Sequence, residues 1–399
     1  MKTNIGVFFG GRSTEHEISV ISANQAMAAI DREKYDVTPI YISKEGKWYT
    51  GEKLTDVRNF RDLNALKQEC REVYMRPIFG DTNLYPVKVA KKLFGDGAAP
   101  VAHLDVAIPV LHGSNGEDGV FEGVLESTGI PYAGCNVLAS ANGMDKITMK
   151  MILASDGIPV VPYVWFTDKQ WYNDRDAMAD RIEQTLGYPV IVKPANLGSS
   201  VGIGRAGDRT ALFEKIADAA RYSRRIIVEH MIDDLQEINC SVLGDCDDYK
   251  TSVLEEPVKS GEILSYTDKY MGGSKGAKGM QAAQKRIPAD LPQELTDRIR
   301  TLAGETFRVL SCHGVSRVDL IVDRSTGEVF VNEINTIPGS LSFYLWEATG
   351  LSFAGLMDKL VALALKRRRQ EEEKTVSYDQ NIFSLGGGVK GAKGAKGVK

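Results

Sequence analysis

The first apolar run of the chain, residues 5–9, is short and stops at Gly10-Gly11, which predicts a buried strand closing in a tight turn. Residues 19–30 follow as a helix carrying Ile21, Ala28 and Ala29, and a second strand is predicted over 37–42. Strand, helix and strand in that order suggest a doubly wound parallel sheet, an α/β fold with its working loops at the carboxyl ends of the strands. Residues 104–111 read as a further apolar strand that enters the loop 112–119. The intervening stretch, 44–100, is polar and irregular in pattern and reads as an insertion of little functional information.

A helical spacing over 139–154 ends at Asp156-Gly157 with Pro159 beyond, a boundary into a second domain. Past it, short β-rich runs at 160–166, 190–193, 226–231 and 238–243 alternate with helices near 175–186 and 210–222. The segment 271–286 is rich in Gly and Lys, poor in apolar residues and too long for a tight turn, and reads as a mobile loop. A helix over 292–310, strands over 317–322 and 329–335 joined by a turn, and a last helix over 352–368 complete the pattern. The tail 366–399 opens with opposed charge runs and finishes in repeats of Gly, Lys, Ala and Val; it cannot bury a core and reads as disordered.

A chain of 399 residues accommodates two or three domains. Its net charge of -4 offers no broad cationic surface for a nucleic-acid backbone. No apolar stretch approaches the ~18 to 20 residues of a membrane span, so the reading is cytoplasmic. The cysteines, Cys70, Cys135, Cys240, Cys246 and Cys312, lack a Cys-x-x-Cys spacing, which supports neither a disulfide framework nor a zinc site.

The strongest chemical signal is Arg317-Val-Asp319 followed by Glu333-Ile-Asn335. Side chains two apart on a strand share a face, so a hairpin turning at 324–328 sets Asp319 opposite Glu333 and gathers two carboxylates and an amide oxygen. Such an oxygen-only set suits Mg²⁺. The competing reading is a solvated hairpin face, opposed by the apolar flanks Val318, Leu320, Ile321, Val329 and Val331. A second signal is Lys193 leaving an apolar strand before the small-residue loop Gly198-Ser199-Ser200-Val-Gly202, where backbone N–H groups can meet phosphate oxygens. No Gly-x-x-x-x-Gly-Lys-Ser/Thr run occurs, so the phosphate binder is not a P-loop.

These residues match a family. Gly10-Gly-Arg-Ser-Thr-Glu15-His-Glu-Ile-Ser19, His112-Gly-Ser-Asn-Gly-Glu-Asp-Gly119, Met144-Asp-Lys146, the 193–202 run, Lys269-Tyr270, Arg317-Val-Asp319 and Asn332-Glu-Ile-Asn-Thr-Ile-Pro-Gly339 resemble the D-alanine:D-alanine ligases of the ATP-grasp superfamily, in colinear order over residues 1–365. The resemblance implies an N-terminal substrate-binding domain (1–140), then a two-part α+β ATP-grasp domain (141–235 and 236–368), with 369–399 as a tail. It implies ATP as co-substrate, two Mg²⁺ ions with Mn²⁺ as a substitute, D-alanine as substrate and a homodimer.

By the same resemblance, Glu15 holds the first ammonium with Ser199 and Tyr270, against a plainer reading of Glu15 as a helix cap. Lys146, Lys193, Ser200 and Lys269 serve the nucleotide, Glu237 takes the ribose, and Glu229 with the backbone of His230, Met231 and Ile232 lines the adenine. Asp319, Glu333 and Asn335 take the metal; Arg317 and the Gly339 N–H form an oxyanion hole. His112 lies near the second substrate. One departure concerns the second-substrate pocket: five residues past Gly339, where the family usually has serine, stands Tyr344, with Ser342 two residues before it. Its consequence is a reshaped pocket, with a second substrate such as D-lactate or D-serine as the alternative.

Overall fold

The computed structural model describes residues 2–88, 99–198, 201–257 and 285–377. Its first sheet holds β1 (Thr3–Gly10), β2 (Tyr35–Ile42), β3 (Trp48–Thr50), β4 (Arg71–Met75), β5 (Asn83–Pro86), β6 (Ala102–His103) and β7 (Val106–Val110), in the order β6-β5-β4-β3-β2-β1-β7. β1 runs parallel to both its neighbours, β2 and β7, and all of its residues from Ile5 to Gly10 are buried. The helix α1 (His16–Ala29) connects β1 to β2, with α2 (Leu63–Glu69) and α3 (Val120–Thr128) following. Gly10 is fixed by close approach: at φ 92° a Cβ there would collide with the Ile42 carbonyl oxygen.

The stretch 44–100, expected to be an insertion, instead supplies β3 to β5, which extend the same sheet antiparallel. They are only three to five residues long, and β4 mixes exposed Arg71 and Tyr74 with buried Val73 and Met75, so no long apolar run marks them in the sequence. Trp48 packs its ring against Phe8 and Phe121, 5.5 and 5.9 Å between centroids, and seals the extension to the core.

The single helix expected over 139–154 is two, α4 (Val137–Met144) and α5 (Lys146–Ser155). Asp145 breaks it, because its carboxylate accepts the Thr148 N–H and caps α5. The Lys146 N–H then donates to the Ala195 carbonyl, and this anchors α5 against the second sheet.

That sheet, in the order β10-β9-β11-β8, consists of β8 (Tyr163–Thr167), β9 (Val190–Pro194), β10 (Gly204–Ala206) and β11 (Arg225–His230), with α6 (Asp168–Asn173), α7 (Arg175–Leu186) and α8 (Arg209–Ala219). Its core gathers Phe166, Trp171, Ile182, Leu212 and Ile216. The third sheet, in the order β14-β13-β12-β15-β16, is wholly antiparallel: β12 (Leu235–Gly244), β13 (Tyr249–Pro257), β14 (Lys285–Arg286), β15 (Gly314–Asp323) and β16 (Val329–Asn335), backed by α9 (Gln293–Val309). Lys285 and Arg286, expected to end a mobile loop, pair with Pro257 and Glu256 as a strand; the remainder of 271–286 lies outside the described residues.

Two helices close the described chain, α10 (Phe343–Ala348) and α11 (Phe353–Glu372). α11 returns to the N-terminal sheet, burying Leu356, Met357, Leu360 and Val361 in the core that holds Ile5, Val7 and Phe9. It also overruns the expected start of the tail, since Arg367 is buried and donates to the carbonyls of Tyr132 and Gly134. Residues 378–399 of the expected tail lie outside the described residues. No single helix among the described residues is long and apolar enough to cross a membrane.

Candidate active site

The hairpin β15–β16 has the register that the alternation implied: Asp319 faces Glu333 and Arg317 faces Asn335. Arg317 forks onto Asp319, Nε to Oδ1 at 2.6 Å and Nη2 to Oδ2 at 2.7 Å, and the Asn335 amide nitrogen donates to Asp319 Oδ2 at 3.1 Å. The planar guanidinium thereby fixes the carboxylate plane. Since Asn335 donates through nitrogen, its oxygen is the atom a metal would use. Two carboxylates and an amide oxygen on one hairpin face are a donor set of the hard, oxygen-only kind that Mg²⁺ takes, so these residues fit the ion.

Lysines approach this face from the other elements. Lys146, at the start of α5, reaches Glu333 Oε2 at 3.1 Å and donates to the Leu197 carbonyl at 2.9 Å. Burial lowers the ammonium's pKa, but Glu333, Glu229 and Glu15 outweigh it and raise it above the ordinary value. Lys193, on β9, donates to Glu229 Oε2 at 2.7 Å and to Asn332 Oδ1 at 3.1 Å. On the other oxygen of Glu229 sits Lys150, also of α5, at 3.2 Å. Burial pushes the Glu229 carboxyl up, yet Lys150 and Lys193 together bring it down to about 2. Glu229 is thus committed to two cations inside the protein, which differs from the adenine-lining side chain expected from the sequence. His230 is exposed, with Nδ1 on the Leu186 carbonyl; the sulfur of Met231 accepts from Arg205, Ile232 is buried, and Glu237 lies on β12.

The third group of residues surrounds the backbone before Gly339. His112 is buried with both ring nitrogens occupied, Nδ1 at 2.9 Å from the Ile337 carbonyl and Nε2 at 2.9 Å from Ser22 Oγ. Burial pushes its pKa down to about 4, so near neutral pH the ring is uncharged. Glu117 accepts from the Ile337 N–H at 3.2 Å and the Gly113 N–H at 2.7 Å, so one peptide neighbourhood is gripped from both sides. The turn Gly339–Ser342 holds Ser340, Leu341 and Ser342 at φ 51°, 54° and 50°, an uncommon left-handed run for residues with a Cβ. α1 stabilises it: the Ser340 N–H donates to Ser22 Oγ at 3.0 Å and the Ser340 hydroxyl to Gln25 Oε1 at 2.7 Å.

Glu15 stands at the N-cap of α1 but makes no capping bond, so it does not act as a helix cap. Its buried carboxylate is pressed between two loops, with Oε2 only 2.6 Å from where a Cβ would sit on Gly113 and 3.1 Å from that on Gly198. Gly113, at φ 72°, needs glycine for this approach, whereas a Cβ on Gly198 would only crowd the carboxylate. Ser342 is fully buried, and its hydroxyl has no hydrogen-bond partner among the described residues. The Tyr344 hydroxyl, expected to meet a substrate carboxylate, donates instead to Glu255 Oε2 at 2.9 Å, and Lys285 lies over its ring, 4.2 Å from the centroid. The two residues diverge because the chain turns helical there, with Ser342 at the N-cap position of α10 but making no side-chain capping bond. Ser199, Ser200, Lys269 and Tyr270 lie outside the described residues.

Sequence reasoning missed Lys150, Glu117, Glu255 and Asn332 as members of this cluster. Lys150 could have been found, since it stands four residues after Lys146 on one helix face.

A pH dependence follows from the buried acids. Burial pushes Glu122 on α3 up to about 8, and burial with the charge of Glu15 does the same for Glu117. A raised carboxyl contributes stability that is fully present below its unfolded value and is lost as pH rises through the folded one. His112 acts in the opposite sense, losing stability as pH falls from 6.5 toward 4, so the net fall belongs to the window from pH 6.5 to 8. Melting temperature should decline across that window, and Glu122→Gln, which removes one titrating group, should flatten the decline. An identical slope in the variant would contradict the buried protonated carboxyl.

Comparison with known proteins places this geometry. The profile "D-ala D-ala ligase N-terminus" matches residues 4–135 and "D-ala D-ala ligase C-terminus" matches 152–362. The chain is 42% identical to the D-alanine--D-alanine ligase of Caldicellulosiruptor bescii, covering 95% of this chain and 99% of the relative, and 38% identical to that of Thermosipho melanesiensis, covering 96% and 98%. Among solved structures, the D-alanine-D-alanine ligase of Coxiella burnetii superposes with a TM-score of 0.76 at 29% identity, over 93% of this chain and 96% of the other. The VanG D-Ala:D-Ser ligase of Enterococcus faecalis gives 0.76 at 33% identity, over 91% and 100%. The fold is therefore that of an ATP-grasp enzyme, three sheets around a cluster of lysines and hairpin carboxylates. Within that class, the chain belongs to the D-alanine:D-alanine ligase family.

Proposed function

We propose that this protein uses ATP to join two D-alanines into D-alanyl-D-alanine, a peptidoglycan precursor, and that it works through a D-alanyl phosphate. The observation that carries the reading is the meeting of Lys146, Lys193, Asp319, Glu333 and Asn335 from separate elements, in a chain whose curated relatives are D-alanine--D-alanine ligases over nearly its full length. The fold alone does not separate D-alanine from D-serine as second substrate, because the D-Ala:D-Ser ligase superposes equally well. The curated relatives favour D-alanine.

In this reading Glu15 holds the first ammonium, with Ser199 and Tyr270 completing its surroundings. Lys146 and Lys193 neutralise ATP phosphates, joined by Ser200 and Lys269. Glu237 takes the ribose, and the backbone from Glu229 through His230 and Met231 to Ile232 borders the base, while the Glu229 side chain stays inside between Lys150 and Lys193. Asp319, Glu333 and Asn335 would hold Mg²⁺, which when bound offsets charge on the phosphates. A carboxylate oxygen of the first D-alanine attacks the γ-phosphorus as the bond to ADP breaks. The second amine then adds to the acyl carbon, and the negative oxygen that develops is met by Arg317 and the Gly339 N–H. Collapse releases phosphate carrying the former carboxylate oxygen. His112 and Glu117 set the backbone that leads to Gly339. The family suggests a homodimer, which light scattering would size.

Tyr344 shapes the second-substrate pocket in this account by its ring and by its hold on Glu255, and Ser342 is assigned to the same pocket. Tyr344→Phe should raise the weaker D-alanine Michaelis constant by about three- to tenfold, the scale of one lost hydrogen bond, and leave the tighter constant alone. Unchanged constants for both D-alanines would remove Tyr344 from the pocket. The direct test of the function is ADP formation that requires D-alanine, with D-serine and D-lactate offered alongside D-alanine. ATP turnover indifferent to D-alanine would refute the reading.

A further inference from the structure

Lys150 is the one lysine of the nucleotide cluster for which neither the motifs nor the proposed reaction has a use. Its side chain is 0% exposed, and that of its partner Glu229 is 3% exposed. The two lie 3.2 Å apart without hydrogen-bond alignment, whereas Lys193 donates squarely to the other Glu229 oxygen at 2.7 Å. Lys193 has a second acceptor in Asn332, and at 10% side-chain exposure it is the member of the triad that faces outward. One carboxylate therefore has two cations, one enclosed and one at the edge of the cluster.

A lysine that serves a phosphate must loosen its hold on a competing carboxylate. If Lys193 were the sole cation on Glu229, that movement would leave a buried, unpaired negative charge, the costliest state for such a group. We propose that Lys150 is a positioning residue for the nucleotide: it remains on Glu229 while Lys193 shifts from that carboxylate to a phosphate oxygen. Lys150 touches neither substrate nor phosphate, and its effect passes entirely through Glu229. Its place on α5, one turn beyond Lys146, makes the same helix supply both a phosphate contact and the fixed partner. This inference rests on the assignment of Lys193 to the ATP phosphates.

The test is calorimetric titration with Mg²⁺ and a non-hydrolysable ATP analogue, with steady-state kinetics beside it. Wild-type protein that does not bind the analogue would overturn the nucleotide assignment itself. With binding established, Lys150→Met should weaken the analogue about ten- to a hundredfold and raise the ATP Michaelis constant in step, with the D-alanine constants unchanged. A residue that only supports the fold would lower the melting temperature without that selective change. Because Lys150→Met removes a buried cation, the double variant Lys150→Met, Glu229→Gln is compared with Glu229→Gln alone. Equal or tighter analogue binding by the double variant is expected, since Lys150 then has no carboxylate to hold. Weaker binding by the double variant, or a folded Lys150→Met with wild-type affinity, would overturn the proposal.

Discussion

Glu333→Gln is expected to lower turnover by at least about a hundredfold, the scale on which lost ligands and orienting partners act at a metal centre. The variant keeps its size and an oxygen for Lys146, and the Glu333 side chain is 26% exposed, so the fold should lose only on the order of 1 kcal/mol. The distinctive part of the expectation is its dependence on the metal: the loss should shrink as Mg²⁺ or Mn²⁺ is raised. Steady-state assays across a metal titration check it. Near-normal turnover at ordinary Mg²⁺ would remove Glu333 from the metal site.

Arg317→Lys is expected to have a comparable effect by another route. The lysine retains a charge but not the fork that engages both oxygens of Asp319, so the carboxylate is no longer held in one plane. It also cannot point a second donor at the developing oxyanion. Loss of one such donor costs roughly a hundred- to a thousandfold in turnover. The first D-alanine and ATP should bind nearly as before, because that negative oxygen exists only during acyl transfer. A raised Michaelis constant with unchanged turnover would make Arg317 a ground-state binding residue.

The hairpin was legible because its message is local. Alternation assigns faces and a short turn sets the approximate register, and a one-residue shift between Asp319 and Leu320 then brings Asp319 opposite Glu333. The Glu117 grip on Ile337 was not legible, because it joins residues 220 positions apart and belongs to no periodic pattern. Glu229 was misplaced for a related reason: motif order says which segment borders the nucleotide, but not that the side chain turns inward between Lys150 and Lys193. In the N-terminal sheet the strands β3 to β5 were hidden because they are three to five residues long and present no sustained apolar run. Asp145 shows a local rule overlooked, since an aspartate between two helical stretches caps the second more readily than it continues the first.

The central claim is that a D-alanine carboxylate is activated by phosphorylation before the peptide bond forms. It is tested most directly by incubating the protein with ATP, Mg²⁺ and D-alanine labelled with ¹⁸O in both carboxylate oxygens, then weighing the products by mass spectrometry. The account requires D-alanyl-D-alanine together with inorganic phosphate that has gained one ¹⁸O per turnover. Dipeptide accompanied by unlabelled phosphate would contradict it.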